Sequence, residues 1–339
     1  MMHIMRYSTR TGVIVALALL VALVAAALVL APFGADVHAP KRTRPFLIGA
    51  LNDSWGPTPQ VAGLRDGLLA LGYREGERFV IGVRFTQGDL AALPGAARQL
   101  VADGVDVIFA DHDDAARAAQ QVTTQVPIVF AMVGDPVGLG LIDTFAHPGA
   151  NITGVADLHL ELGPKRLDVF REIVPGLHRV LFPYHASDVY AAAEVRQLRL
   201  AAERLGIVLV ERALRTQEEA RAALAAVHHG EVDGILAPRC CALNIPGFVL
   251  EATQRGIPTM FETGFWVERG ALAGYGQDFY HSGQMAARLV DKILTGTKPS
   301  EIPVEVNAKL EYVINLKVAT ALGLAIPREA LYRADRLIQ

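Results

Sequence analysis

The sequence predicts an α/β protein of two Rossmann-like lobes with parallel sheets, preceded by an N-terminal hydrophobic helix. Three observations predict it. From Phe46 onward, short β-branched apolar runs alternate with longer stretches of helical period, the pattern of a parallel sheet with crossover helices. The strand and helix pattern is laid down twice, over 46–132 and again over 180–261. A length of 339 residues leaves room for about two domains.

The first segment is the uncharged run Val13 to Ala31, long enough to cross a bilayer. Arg6 and Arg10 precede it as in a signal peptide, but the run exceeds the roughly 7 to 15 apolar residues of an ordinary signal core. Val37-His38-Ala39 before Pro40 and Phe33-Gly34-Ala35 are both poor cleavage sites, so an uncleaved anchor is favoured slightly over a cleaved signal. Lys41, Arg42 and Arg44 oppose Arg6 and Arg10, and charge alone does not orient the segment. Beyond residue 44 the chain holds 27 basic and 34 acidic residues, an acidic body of net charge −7.

The strand-like runs of the body are Phe46 to Leu51, Phe79 to Phe85, Val105 to Ala110, Ile128 to Met132, Val180 to Tyr184, Ile207 to Glu211, Gly234 to Ala237 and Thr259 to Phe261. Amphipathic stretches between them include Gln60 to Leu71, Asp114 to Gln125, Leu167 to Ile173, Tyr190 to Leu205 and Gln217 to His228. A segment from Gly270 to Gly296 starts as a strand and continues as a helix, and a last one runs from Ile302 through EYVINL to a helix near Gln339. Ligands of such open sheets sit at the carboxyl ends of the strands, so two lobes with facing strand ends make a cleft.

Composition excludes several classes. With 52% apolar and 20% charged residues the chain is neither disordered nor collagen-like, and a net charge of −3 gives no footprint for nucleic acid. Cys240 and Cys241 are the two cysteines, too few for a stapled fold or a four-thiolate metal site. Being adjacent, they are expected as free thiols. No cofactor and no metal are expected.

At Gly134-Asp135-Pro136-Val137-Gly138 and His147-Pro148-Gly149-Ala150-Asn151-Ile152-Thr153-Gly154-Val155 the sequence resembles the tryptophan-binding-type family of ABC importer substrate-binding proteins. Gly72 to Gly76, Gln87-Gly88-Asp89, Asp106-Val107-Ile108, Gly274-Tyr275-Gly276 with Asp278, Lys298-Pro299, Ile302 to Glu305, Val313 to Lys317 and Ala334-Asp335 extend it over nearly everything after residue 45. The resemblance implies a type 1 periplasmic binding protein fold with a three-crossing hinge. The expected division is 1–44 as leader or anchor, 45–157 plus 275–303 as the first lobe, and 158–274 plus 304–339 as the second. It also implies a monomeric, non-enzymatic protein outside the cytoplasm that hands a small solute, an amino acid or related amine, to a membrane ABC permease.

Candidate ligand-binding residues then come from the ends of the strands. Asp53, Ser54 and Trp55 follow the first run: Trp55 either covers an apolar or aromatic ligand or packs on the next helix, and Asp53 and Ser54 are also turn formers. Asp111, His112 and Asp113 occupy a turn where the family shows a Thr-rich one, with Asp113 in place of a threonine that would help hold a ligand carboxylate. A carboxylate there repels a carboxylate, which points to an amine or another cationic or hydroxyl-rich solute, unless Asp113 is a plain helix cap. Asp135 fits a cap for a helix starting at Pro136, and Thr153 marks the approach to the first crossing. From the second lobe come Tyr184, Ser187, Arg239, Cys240 and Glu262; Arg239 matches a carboxylate or pairs with an acidic loop residue in an empty cleft. Asp278 reads the ligand or stabilises the hinge. Two other functions fit less well: a membrane-tethered sensor ectodomain, and an enzyme using Cys240 or Cys241 with His185 or His112, for which no nucleophile-elbow or Gly-rich phosphate loop is present.

Overall fold

The computed structural model describes residues 44–339 apart from 229, 240 and 241. The apolar run Val13 to Ala31 and the candidate Cys240 therefore lie outside the described residues. Among those described, no helix is long and apolar enough to cross a membrane.

The first lobe starts β1 (Phe46–Asn52), α1 (Pro59–Ala70), β2 (Phe79–Phe85), α2 (Leu93–Ala102), β3 (Val107–Asp111), α3 (Asp113–Val122), β4 (Ile128–Val133) and β5 (Ile152–Ala156). The second follows with α4 (His159–Ile173), β6 (Arg179–His185), α5 (Ala191–Leu205), β7 (Val208–Leu214), α6 (Gln217–Ala225), β8 (Gly234–Leu236), α7 (Ile245–Gln254), β9 (Thr259–Phe261), α8 (Gly264–Val267) and β10 (Ala273–Gln277). The chain then gives α9 (Phe279–Leu294), β11 (Glu305–Val306), β12 (Leu310–Asn315), α10 (Leu316–Ala321), α11 (Arg328–Arg333) and β13 (Arg336–Ile338).

One sheet has the order β11-β5-β4-β3-β1-β2 and the other β13-β12-β10-β9-β8-β6-β7. Burial follows position. The central β3 and β4 are buried at every residue, as strands covered on both faces must be, while the edge strands β2 and β7 are partly exposed. Neighbours Ile108 and Phe109 point into different cores, so each sheet carries an apolar layer on both sides. All pairings are parallel except β10 with β12.

The chain passes between the sheets between residues 156 and 159, between 277 and 279, and between 306 and 310. Two amides tie these passages together. Gln277 Oε1 accepts from Leu158 N at 2.8 Å, and its Nε2 donates to Asn307 O. The fully buried Asn307 donates in turn to Asp278 O and Ser282 Oγ, each at 2.8 Å.

Helix α9 returns to the first lobe and crosses α1 at backbone contact. A Cβ on Gly63 would lie 2.0 Å from Tyr280 O, and one on Gly283 would lie 2.0 Å from Gln60 O. Thr58 caps α1 and Pro59 opens it, which fixes the loop between β1 and α1 at its far end.

Several elements depart from the sequence reading. The chain ends in the strand β13, not a helix, because Asp335 N and Oδ2 tie the segment to Tyr312 and lay it beside β12. Residues after Pro136 form successive turns instead of a helix. Ile152 to Ala156, which follows Asn151 and carries the Thr-Gly of that motif, is a strand of the first sheet, and α2 and α7 are helices beyond the amphipathic stretches read from the sequence.

Candidate functional site

The two lobes meet at the carboxyl ends of their strands through a buried polar bridge. Asp113, the first residue of α3, ion-pairs with Arg239, which follows β8. Arg239 Nη1 also donates to Met132 O at 3.2 Å and lies 3.6 Å from Asp157 Oδ2. Tyr190 completes the bridge: its hydroxyl donates to Asp113 Oδ1 at 3.0 Å and accepts from Asp135 N at 2.9 Å, and its ring lies 5.7 Å from the Arg239 guanidinium. Burial works against the charge on Arg239, but Asp157 and Asp113 more than restore it and push its pKa up.

Beside this bridge the lobes enclose a cavity of about 270 Å³, near the small end of the roughly 300 to 1,000 Å³ usual for ligand pockets. Its walls are aromatic. Trp55 comes from the first lobe, Phe265 and Trp266 from α8, and Phe279 from the start of α9. Trp266 stacks on Phe261 at 5.4 Å and meets Phe265 edge-on at 5.2 Å, whereas Trp55 remains 42% exposed at the mouth. A Cβ on Gly88, at φ +81°, would come within 3.2 Å of Trp55 Nε1 and 3.3 Å of Leu243 N, so this glycine lets the rim close on the indole.

The polar groups of the wall are Ser54, Thr58, Gln60, Arg239, Glu262 and Thr263, with Asn244 and Arg269 at its edge. Arg269 is exposed, sits 3.4 Å over the Phe265 ring and donates to Phe265 O at 3.0 Å. Gln60 Oε1 and Glu262 Oε2 are buried without a hydrogen-bond partner.

Among the described residues the buried charged side chains are Asp53, Asp111, Asp113, Asp157, Glu194 and Glu262 against Arg166 and Arg239, with His112 beside them. Burial raises the Asp111 carboxyl to about 7 although Thr58 Oγ1 donates to it at 2.7 Å. Burial likewise raises Glu262 to about 7 against the pull of Arg166. For His112, burial and Arg239 disfavour the imidazolium, yet Asp113, Asp53 and Asp114 outweigh them and its pKa is raised. His112 also has φ +102°, and the other non-glycine residues with positive φ among those described, Gln87, Met132, Leu243 and Asn244, all belong to segments at this cleft. Backbone strain of this kind collects where surrounding structure enforces a functional shape.

The sequence candidates therefore separate into three groups. Ser54, Trp55, Arg239 and Glu262 line the cavity. Asp53, Asp111, His112 and Asp113 are buried just behind it; Asp113 is not the helix cap but the first helical residue, and His112 occupies the cap position. The remaining described candidates point elsewhere. Asp135 is exposed and accepts from Gly138 N at 2.8 Å, closing a turn. Thr153 is fully buried in β5 and donates to Ile302 O at 2.8 Å. Tyr184 stacks on Phe182 at 5.8 Å in the second-lobe core, and Ser187 is exposed. Asp278 caps α9, accepting from His281 N at 3.0 Å, and pairs with Lys309 at 2.9 Å; burial favours its neutral form, but these partners hold its pKa below the usual range. It borders a separate groove on the hinge side. Gln60, Asp157, Tyr190 and Phe279 were not among the residues that the sequence singled out. The aromatic pair directly after β9 carried a usable signal, whereas Tyr190 and Asp157 acquire meaning only from the meeting of the lobes.

A family model described as ABC transporter substrate binding protein matches residues 56–338. The chain belongs to this family. The family is one of solute-binding proteins, not of enzymes. A tyrosine-binding protein of Clostridioides difficile (strain R20291) is 28% identical over 255 residues, 75% of this chain and 73% of that protein. A conserved domain protein from Vibrio cholerae is 31% identical in sequence, with a TM-score of 0.76 over 87% of this chain and 100% of that one. The ABC domain from Streptococcus pneumonia in complex with L-Trp, 26% identical, also gives 0.76 over 87% and 100%. A ligand-free, open substrate-binding protein from Clostridium difficile, 27% identical, gives 0.57 over 87% and 99%. At nearly equal identity, the family member in hand thus superposes better on the ligand complex than on the open form, as its bridged lobes require.

Proposed function

We propose that this chain is the extracytoplasmic solute-binding component of an ABC importer, a monomer that clamps one small aromatic solute bearing an amine between its lobes and delivers it to a membrane permease. The observation that carries the reading is the interlobe cavity with Trp55, Phe265, Trp266 and Phe279 as walls and Glu262 among its polar groups. Aromatic walls favour a ring or a cation over a sugar's hydroxyls. The relatives whose descriptions name tyrosine and L-Trp support the ring. Closure follows from differential affinity: a solute touching both lobes stabilises the shut form by the contacts it cannot make in the open one. The three passages between the sheets are the proposed hinge.

A thermal-shift screen of the full chain against amino acids, amines, purines and sugars tests this. A solute at about 100 times its Kd adds about 2.7 kcal/mol of stability. Stabilisation by aromatic compounds, lost in Trp55→Ala, is the expected result. Stabilisation by sugars alone overturns it.

A further inference from the structure

The cavity wall distinguishes among aromatic solutes by charge. Its two unpartnered buried polar atoms among the described residues, Gln60 Oε1 on the first lobe and Glu262 Oε2 on the second, are both acceptors. The buried arginine that would receive a ligand carboxylate is already occupied, since Arg239 carries Asp113 on one side and Asp157 on the other. Arg166 offers no substitute: it does not line the cavity, and its charge acts on Glu262. Arg269 lies at the exposed rim, held by the ring and carbonyl of Phe265. Behind Thr58 and Ser54, the buried oxygens Asp111 Oδ1 and Asp53 Oδ2 also lack hydrogen-bond partners.

Of the charged side chains that are buried among the described residues, the one arginine lining the cavity is already paired and the one carboxylate lining it, Glu262, keeps an unpartnered oxygen, a balance that favours a cation there. The aromatic walls act in the same direction, because the face of an indole or phenyl ring attracts positive charge. Among the described residues no three His, Cys, Asp or Glu side chains are grouped for one metal ion.

We propose that the solute is a small aromatic monocation, a protonated amine without a carboxylate, whose ammonium donates to Glu262 and Gln60 and so ties the two lobes together. The proposal rests on the solute-binding reading above and narrows it.

Isothermal titration of the full chain with three compounds of one ring system separates the charge classes: tryptamine, L-tryptophan and indole-3-propionate. The phenolic series, tyramine, L-tyrosine and 3-(4-hydroxyphenyl)propionate, covers a smaller ring. In at least one series the amine is expected to bind ten or more times more tightly than the amino acid, with no detectable binding of the carboxylate. Glu262→Gln, which keeps the shape of the side chain, should cost the amine at least tenfold while leaving the uncharged alcohol tryptophol within about twofold, the loss expected of one charge-assisted bond. An amino acid that binds as tightly as its amine, or a carboxylate that binds alone, overturns the monocation while leaving the aromatic solute-binding reading intact. Failure of both series to bind overturns the two together.

Discussion

At the scale of single residues the decisive group is Asp113, the first residue of α3. Its carboxylate occupies Arg239 from across the cleft, so the guanidinium serves to bridge the lobes and is not open to solute. Asp113→Thr should release one side of Arg239 and raise the affinity for L-tryptophan several-fold relative to tryptamine, read by titration calorimetry. Removing one partner of a buried pair costs about 3–5 kcal/mol when the other is stranded; with Asp157 still beside Arg239 the loss of stability should be smaller, and a denaturant melt measures it. This residue was legible in the sequence because an acid at a helix start beside an amide-rich strand end has definite electrostatic consequences. Its pairing with Arg239 was legible as one of the two uses open to that arginine, but the groups that complete the bridge were not. Tyr190 lies 77 positions from Asp113, and no local pattern brings it there or sets Asp157 beside Arg239; Thr153 and Asp135 look like cleft residues from their motifs, but their side chains close backbone gaps in their own lobe.

At the scale of elements, the contact of α1 with α9 positions the loop that carries Trp55. The glycines that permit it lie on both helices, and their neighbours are main-chain atoms that cannot yield. Gly63→Ala puts a methyl group against Tyr280 O, and an overpacked buried contact of this kind costs about 1–3 kcal/mol. The expected outcome is a lower Tm together with weaker solute binding, because Pro59 and Gln60 at the head of α1 line the cavity. Unchanged binding in a destabilised variant would mean that the loop is held by its own turn alone. Alternating apolar runs revealed most strands because central strands buried on both faces need unbroken β-branched sequence. The strand β5 was hidden by its Gly154, whose missing side chain makes room for Phe130, and β13 by its length of three residues at an exposed edge. The strand β12 was legible as the run EYVINL, but its antiparallel direction was not, since strand direction depends on the path of the connection and not on residue pattern.

At the scale of the whole molecule, the buried acids make stability depend on pH in an unusual direction. Asp111 and Glu262 have ordinary values of 3.8 and 4.5 and are raised to about 7 by burial. Between those values the folded chain binds more protons than the unfolded one, so stability falls as pH rises from about 4 to 7. His112, raised above 6.5, acts with the same sign as pH increases further. The groups facing Glu262 are Arg166 on α4, Glu194 on α5 and Arg239; those facing Asp111 are Asp53, His112, Arg239 and the Thr58 hydroxyl. Differential scanning calorimetry of the ligand-free chain should therefore give a Tm several degrees higher at pH 5 than at pH 7.5, and a bound amine should shrink the gap by stabilising the ionised carboxylates. An equal or higher Tm at pH 7.5 without ligand would contradict the burial argument. The threefold passage between the sheets also constrains biosynthesis. Residues 279–294 and 305–306 belong to the lobe that begins at Phe46, so a nascent chain has no complete first sheet until residue 306 has been made, after most of the second. Neither sheet can be completed until most of the other has been made.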